Sequence, residues 1–500
     1  MDIFAGLATG FHAALTPFNL FYCLIGVFIG TLIGVLPGLG PAATVAMLMP
    51  ASFVLPPVSS LIMLAGIYYG AQYGGSTTSI LVNLPGEASS IVTTLDGYQM
   101  SLKGRAGVAL ATSAVASFFA GTVCTIIIAL FAPPLANVAL KFGAPEYFSL
   151  MVLGLVASVV LARGSLLKAI GMIVLGLLFG IIGTDVNSGT QRYTFGIKEL
   201  MDGIGFVTVA MGMFGLGEIM LNLEREGAAD RVVNKITSLM PTREDWKRMI
   251  APILRGTALG SFLGILPGGG ALLASFAAYS VEKKISKHGA EFGTGAIEGV
   301  AAPESANNAG AQASFIPMLT LGIPTSPVMA LMIGAMVIQG VQPGPSVMAD
   351  QPALFWGVIV SMWIGNFFLL VLNLPMIGLW VRLCMVPYHL LYPAILVFCG
   401  IGVFSLSNSE FDIYLMALFG ILGYIFAKVD CEPAPMLLAM ILGPMMEEHL
   451  RRAMLLSRGD PTIFLRRPVS LAILIVAAIA LVVAILPAIR AKREEAFKEE

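Results

Sequence analysis

The sequence predicts an all-α polytopic membrane protein made of two inverted repeats with discontinuous helices and re-entrant hairpins, about 11 to 13 membrane segments in all. Three observations carry that prediction. Of 500 residues, 57% are hydrophobic and only 11% are charged, with mean hydropathy +0.89, whereas soluble domains carry roughly 25% charged residues. Apolar runs recur along the whole chain, many of them too short for a full crossing. One eleven-residue break also occurs twice. Gly30 to Gly40 reads Gly-Thr-Leu-Ile-Gly-Val-Leu-Pro-Gly-Leu-Gly, and Gly260 to Gly270 reads Gly-Ser-Phe-Leu-Gly-Ile-Leu-Pro-Gly-Gly-Gly, identical at six of eleven positions.

In chain order, the apolar runs of the first half lie near 18–36, 41–55, 59–74, 107–132, 146–162, 166–183 and 203–222. Those of the second half lie near 253–266, 271–281, 312–338, 353–381, 386–406, 411–427, 435–446 and 469–489. The runs at 41–55, 271–281 and 435–446 read as half-helices or re-entrant arms. The polar stretch Asn222 to Pro252 divides the halves, giving a first membrane repeat over 1–222, a connection over 223–252 and a second repeat over 253–465. Residues 466–500 read as a terminal transmembrane helix with a charged tail. The positive-inside rule puts the basic connection in the cytoplasm, with Lys103/Arg105 and Arg451/Arg452 on the same side. Met1 to Leu102 contains no lysine or arginine, so a cleaved leader with a basic n-region is not expected.

Proline removes a donor and glycine frees the backbone, so each copy of the break interrupts a helix. Backbone freed at membrane depth persists only where protein or a water-filled cavity satisfies it, so two related breaks predict paired half-sites for a solute. Each break has a polar companion. Tyr73 to Glu87 holds Gly74-Gly75-Ser76-Thr77-Thr78-Ser79 and Asn83, read as hydroxyls and free amides at a helix N-terminus suited to an anion. Gly299 to Gln312 holds Pro303, Glu304, Asn307 and Asn308 and leads to Gly322-Ile323-Pro324-Thr325, a compact set of donors and acceptors. Candidate substrate-binding residues are therefore Gly38, Gly40, Tyr73, Gly75, Ser76, Thr77, Asn83, Gly268, Gly269, Pro303, Glu304, Asn307, Asn308, Pro324 and Thr325. Carbonyls freed near Gly38 to Gly40 and Gly268 to Gly270 are candidates for Na+. Neither break carries an arginine, which leaves amides and helix dipoles as the partners of an anion.

Other classes find little support. A net charge of −1 gives no basic surface for nucleic acid. The four histidines lack ligand spacing, the five cysteines are dispersed, and neither a catalytic triad signature nor a phosphate loop occurs. No enzyme is expected.

At these residues the chain resembles the TctA family, the large membrane subunit of the tripartite tricarboxylate transporters. The resemblance rests on Gly34 to Pro41, Tyr73 to Gly86, Asp96-Gly97-Tyr98, Pro303 to Asn308 with Gly322-Ile323-Pro324, and Leu442-Gly443-Pro444 followed by Glu447 and Arg451. Thr325 departs from it, standing where the family pattern leads one to expect glycine. The resemblance implies a secondary transporter of the bacterial inner membrane that imports tricarboxylates or related organic anions on a Na+ or H+ gradient, with no other cofactor. It also implies two partners, a small membrane subunit of about four helices and a periplasmic solute-binding protein. The alternatives are an anion channel and an assembly subunit without a transport site.

Overall fold

The computed structural model describes residues 3–485 apart from 37–39, 84, 140, 162–164, 186–187, 226–238, 267–269 and 385–387. About 80% of it is helical. Among the described residues the one sheet is a two-residue antiparallel ladder, β1 (Gly183–Thr184) with β2 (Gln191–Arg192). The first half comprises α1 (Ile3–Ala14), α2 (Pro17–Gly34), α3 (Pro41–Ser52), α4 (Pro57–Val82), α5 (Ile91–Leu102), α6 (Ala106–Ala139), α7 (Ala144–Leu161) and α8 (Leu166–Gly180). After the ladder, α9 (Phe206–Ala210) passes through a π-helical turn into α10 (Gly217–Arg225). The second half begins with α11 (Arg243–Leu263), α12 (Gly270–Ile285), α13 (Glu298–Ala313), α14 (Phe315–Leu321) and α15 (Pro327–Ile338). It continues with α16 (Val347–Asp350), α17 (Pro352–Asn373), α18 (Ile377–Cys384), α19 (Tyr388–Ser407) and α20 (Glu410–Lys428). The last helices are α21 (Pro433–Leu456), α22 (Ile463–Arg466) and α23 (Pro468–Ile485).

The sequence sets many of these boundaries. Helices α2, α3, α4, α15, α17 and α21 each open on a proline, whose missing N–H falls where no helical partner exists. Thr242 caps α11 by accepting from Asp245 N, and Asp245 reaches back to Thr242 N, closing a capping box. Four described helices, α2, α6, α17 and α20, are long and apolar enough to cross a membrane, and shorter apolar helices include α1, α8 and α15.

Three runs differ from expectation. The run at 59–74 continues unbroken to Val82, because Gly74 and Gly75 sit inside α4 packed against other backbone rather than opening the helix. The run at 312–338 is divided, since Gly322 ends α14 in the left-handed region at φ 70° and Pro327 starts a new helix. The short arm at 435–446 is part of the 24-residue α21, whose internal Pro444 does not end it.

Two glycine seams of the same form hold the halves. A Cβ on Gly26, Gly30 or Gly34 of α2 would lie 2.3–2.5 Å from the carbonyl oxygens of Met63, Ile67 and Ala71 on α4. A Cβ on Gly256, Gly260 or Gly264 of α11 would lie 2.3–2.4 Å from those of Ala302, Ala306 and Gly310 on α13. Only glycine permits this approach, and small-residue seams suit helix packing where lipid supplies no hydrophobic drive. In both seams the partners rise together in number, so α2 runs parallel to α4 and α11 parallel to α13. Leu81, at the end of α4, shares an apolar cluster with Ala106, Met249 and Ile297, the residue preceding α13. Earlier in α4, Tyr68 and Tyr69 pack on Phe315, just past the end of α13, so the two seams run in opposite directions.

Lys428 pairs with Glu224 beside the central connection. From there α21 carries Arg451 about 27 Å along its axis, at 1.5 Å per residue from Pro433. It ends in ion pairs with Asp185 and Glu447. Arg451 and Arg452 thus belong to the last turns of α21, a helix twice as long as its apolar run suggested.

Candidate binding cavity

The first polar companion folds back on itself at a crossing of glycines. Asn83 ends α4 in the left-handed region at φ 57°, and the chain then returns so that Gly86 lies on Gly75. A Cβ on Gly86 would stand 2.4 Å from Gly75 Cα and 2.8 Å from Gly34 O. This return makes Glu87 the N-cap of the turn Ala88–Ser90 that leads into α5, with Ser90 completing a capping box. The second companion turns in the same manner. Gly322 is left-handed, Ile323-Pro324-Thr325 follows, and Ser326 caps α15 by accepting from Met329 N at 3.3 Å.

These turns border a cavity of about 210 Å³. Four helices of twelve residues or more begin on it: α3 at Pro41, α12 at Gly270, α15 at Pro327 and α21 beside Pro435. The residues that follow the two repeated breaks, Pro41 and Gly270, thus share one cavity. Polar side chains come from Gln72, Glu87, Ser89, Ser158, Ser326 and Glu432. No lysine or arginine is among the described lining residues. Helix N-termini carry unpaired amides and a partial positive charge, so what this lining offers an anion comes from backbone, opposed by Glu87 and Glu432.

Directly behind it lies a buried polar layer. Glu304, fully buried on α13, accepts from Thr93 at 2.5 Å and from Ser113 at 2.6 Å. Asn307 donates through Nδ2 to Glu87 at 2.9 Å. Asn308 donates to Ser117 at 2.6 Å and to the Glu304 carbonyl at 3.1 Å. Asp96, fully buried on α5, accepts on Oδ1 from Gly293 N, Gly295 N and Ala296 N, and on Oδ2 from the Tyr279 hydroxyl. It fixes the loop that enters α13 and is a structural carboxylate. Near the N-terminal end of α11, Arg248 forks onto Glu298 at 2.8 Å and reaches Glu291 at 2.7 Å. Arg248, and after it His288, holds the Glu291 carboxyl below the usual carboxylate range.

The expected site residues divide into groups. Gly38, Gly268 and Gly269 lie outside the described residues, as do most of the carbonyls proposed for Na+. Gly40 is the N-cap of α3, next to the cavity. Glu304, Asn307 and Asn308 form the layer behind it, and Pro303 sits inside α13 rather than in its first turn, because the helix begins at Glu298. Gly75 underlies Glu87, whose Cγ is 3.2 Å from the position of a Cβ. Ser76 and Thr77 are not at a helix N-terminus. They are in mid-helix and donate to the carbonyls of Gln72 and Tyr73, one turn back. Tyr73 faces α17, donating to Asn366 Oδ1 at 3.3 Å. Asn83 is exposed at its turn. Pro324 and Thr325 lead into the cavity wall, and Thr325 is not at a positive φ, so a residue other than glycine fits there.

Sequence reasoning missed Tyr68, Gln72, Glu87, Ser158 and Glu432. One signal pointed to Glu87: Leu84-Pro85-Gly86 before it is a third Leu-Pro-Gly triplet. A second cavity of about 380 Å³ lies at the far end of α21, lined by Asp185, Arg192, Glu447 and Arg451. Its arginines are already matched: Arg192 to Asp185 at 2.6 Å and Glu447 at 3.0 Å, Arg451 to the same two at 3.0 and 2.6 Å. This second cavity therefore offers no unpaired arginine among its described lining residues.

A mostly helical chain with several apolar helices long enough to cross a bilayer is a multi-pass membrane protein. The chain is a member of the tripartite tricarboxylate transporter TctA family, whose pattern it matches over residues 20–438. That is a family of transporters, not of enzymes. The chain is 59% identical over 500 residues, the full length of both, to an "Uncharacterized 52.8 kDa protein in TAR-I ttuC' 3'region" of Agrobacterium vitis. It is also 59% identical over 241 residues to an "Uncharacterized protein in TAR-II ttuC' 3'region" of the same organism, covering 48% of this chain and all of that one. No solved structure matches.

Proposed function

We propose that the chain is the large membrane subunit of a binding-protein-dependent secondary transporter, importing a small organic carboxylate across the bacterial inner membrane on a Na+ or H+ gradient. The observation that carries this reading is the convergence of four helix N-termini on a cavity without basic side chains. Each N-terminus favours a carboxylate by about 0.3–1 kcal/mol at a surface, and by up to ~2 kcal/mol where partly buried. Four together supply a few kcal/mol without a permanent positive charge that would hold the anion too tightly to release. The volume, about 210 Å³, is below the roughly 300–1,000 Å³ of sites for drug-sized ligands, which favours a small anion. Gln72, Ser89 and Ser326 are the side chains assigned to its oxygens.

Two inverted repeats agree with the same geometry. Residues of α4 match those 239 positions later: Met63, Ile67 and Ala71 correspond to Ala302, Ala306 and Gly310 in the two seams. The left-handed Asn83 and Gly322 correspond too, as do Pro85 and Pro324. The opposed directions of the seams fit a site shared by inverted halves and accessible from alternating sides. By its family, the chain would work with a small membrane subunit and a periplasmic solute-binding protein.

The test is uptake of labelled succinate and citrate by all three proteins in liposomes, under separate Na+ and H+ gradients. Gln72→Ala combined with Ser326→Ala should lower uptake by roughly 10-fold or more, as loss of one to two good hydrogen bonds to a charged ligand implies. Undiminished uptake by that variant would sink the assignment of the cavity.

A further inference from the structure

The geometry points to a Na+ site formed by Glu304, Asn307 and Glu87 between α4 and α13, immediately behind the anion cavity. Glu304 is fully buried and Glu87 is 9% exposed. Every hydrogen bond to their side chains comes from a donor: Thr93 and Ser113 to Glu304, Asn307 Nδ2 and the Ser90 amide to Glu87. Burial penalises the charged form of both acids, so an ionised carboxylate here needs a cation beside it. Among the described residues no lysine, arginine or histidine forms an ion pair with either acid. An isolated buried carboxylate costs far too much to leave uncompensated. Glu87 has partial relief as an N-cap at the positive end of a helix. Glu304, in the middle of α13, has none.

The second, independent observation is Asn307. Its Nδ2 is committed to Glu87, while its Oδ1 is fully buried with no donor in reach. A buried carbonyl oxygen without a donor is expensive unless a cation meets it. Asn307 lies one turn from Glu304 on the same helix, and the hydroxyls of Ser76 and Ser117 flank that acid. The set is all oxygen, with two carboxylates, one amide and several hydroxyls. Such hard ligands suit an alkali or alkaline-earth ion and exclude soft metals. Mg²⁺ would keep several waters and near-ideal octahedral geometry, for which a layer of packed helices leaves no room. An alkali ion sheds water more readily than Mg²⁺, and of these Na+ is the one the proposed transport cycle couples to.

Glu87 belongs to both places, with its side chain on the Na+ set and on the wall of the cavity. With the cation bound, its charge is screened and a carboxylate can approach; without it, Glu87 repels the anion. Cation and anion then raise each other's affinity by the same factor. This coupling rests on the cavity being the carboxylate site, whereas the cation site itself does not.

The test is binding of ²²Na+ to the purified full chain in nanodiscs without carboxylate, together with its melting temperature in NaCl and KCl. The site predicts saturable ²²Na+ binding displaced by Na+ but not by K+ or Ca²⁺, and a higher melting temperature in NaCl. Asn307→Ala and Glu87→Gln should weaken binding roughly 10- to 100-fold, with melting in KCl retained. Glu304→Gln should abolish it, and if that variant fails to fold, the other two decide. Wild-type protein without Na+-selective binding would overturn the proposal, as would unchanged binding in both variants or stabilisation by acid pH in place of Na+. Citrate and succinate form a separate arm: Na+ binding that persists while neither anion binds would refute the cavity reading and leave the cation site standing.

Discussion

Replacing Gly260 with alanine tests the seam on which the polar layer is mounted. The added Cβ would stand 2.4 Å from Ala306 O and 2.8 Å from both Ala306 Cα and Ala309 Cβ. All three are backbone atoms or a short side chain, so nothing flexible can give way. An ordinary carbon–oxygen contact needs roughly 0.8 Å more, and a gap of 0.5–1 Å already forfeits a quarter to a half of each neighbouring dispersion contact. Overpacking of this kind costs about 1–3 kcal/mol. Gly30→Ala, with its Cβ 2.3 Å from Ile67 O, should cost a similar amount. Gly171 on α8 has nothing within 4 Å and serves as the control; alanine there should be neutral or gain up to ~1 kcal/mol from helix propensity. Unfolding of the three variants in one detergent gives the comparison. Because Glu304 and Asn307 ride on α13, Gly260→Ala should also impair uptake beyond its effect on abundance. Stabilities of Gly260→Ala and Gly30→Ala equal to that of Gly171→Ala would refute the seams.

Asp96→Asn should destabilise by about 1–3 kcal/mol, the difference between bonds to a charged and a neutral acceptor multiplied over three amides; limited proteolysis should then open the 286–297 loop first. Ser326→Ala removes the cap on Met329 N and should cost about 0.5–2 kcal/mol in thermal unfolding. Glu291 is held below its ordinary value of 4.5, so its contribution is present above that pH and lost as pH falls through the folded value. The melting difference between wild type and Glu291→Gln should therefore be visible at pH 7 and shrink as the pH falls below 4.5.

The helical membrane class and the two breaks were legible because composition and the Leu-Pro-Gly repeat are local signals. Glu304, Asn307 and Asn308 were legible for a related reason: such groups amid apolar sequence need a use or a partner. What local signals cannot convey is which chain ends meet. Gln72 and Glu432 gain meaning only when α4 and the start of α21 reach one cavity. Ser76 and Thr77 were misplaced because Gly74-Gly75 looks like a helix break, yet those glycines serve close approach to Gly34 and Gly86 and leave the helix intact. The length of α21 was understated because an apolar window misses a helix whose last turns are charged. Thr325 stands where the family pattern suggested glycine, and it fits because the left-handed turn is taken by Gly322, three residues earlier.

Thiol labelling at Ser326 tests most directly the claim that helix N-termini around this cavity bind a carboxylate. Cys23, Cys124 and Cys399 are buried and Cys431 is partly exposed, so Ser326→Cys is made in a Cys384→Ser, Cys431→Ser background, which removes the fifth cysteine as well, with that background alone as the baseline. In Na+ medium with the two partner proteins present, succinate or citrate should slow modification of the introduced thiol by roughly 10-fold or more at saturation, since most of a bound ligand's surface is enclosed. An unchanged labelling rate, in protein that still transports the same anion, would contradict the account.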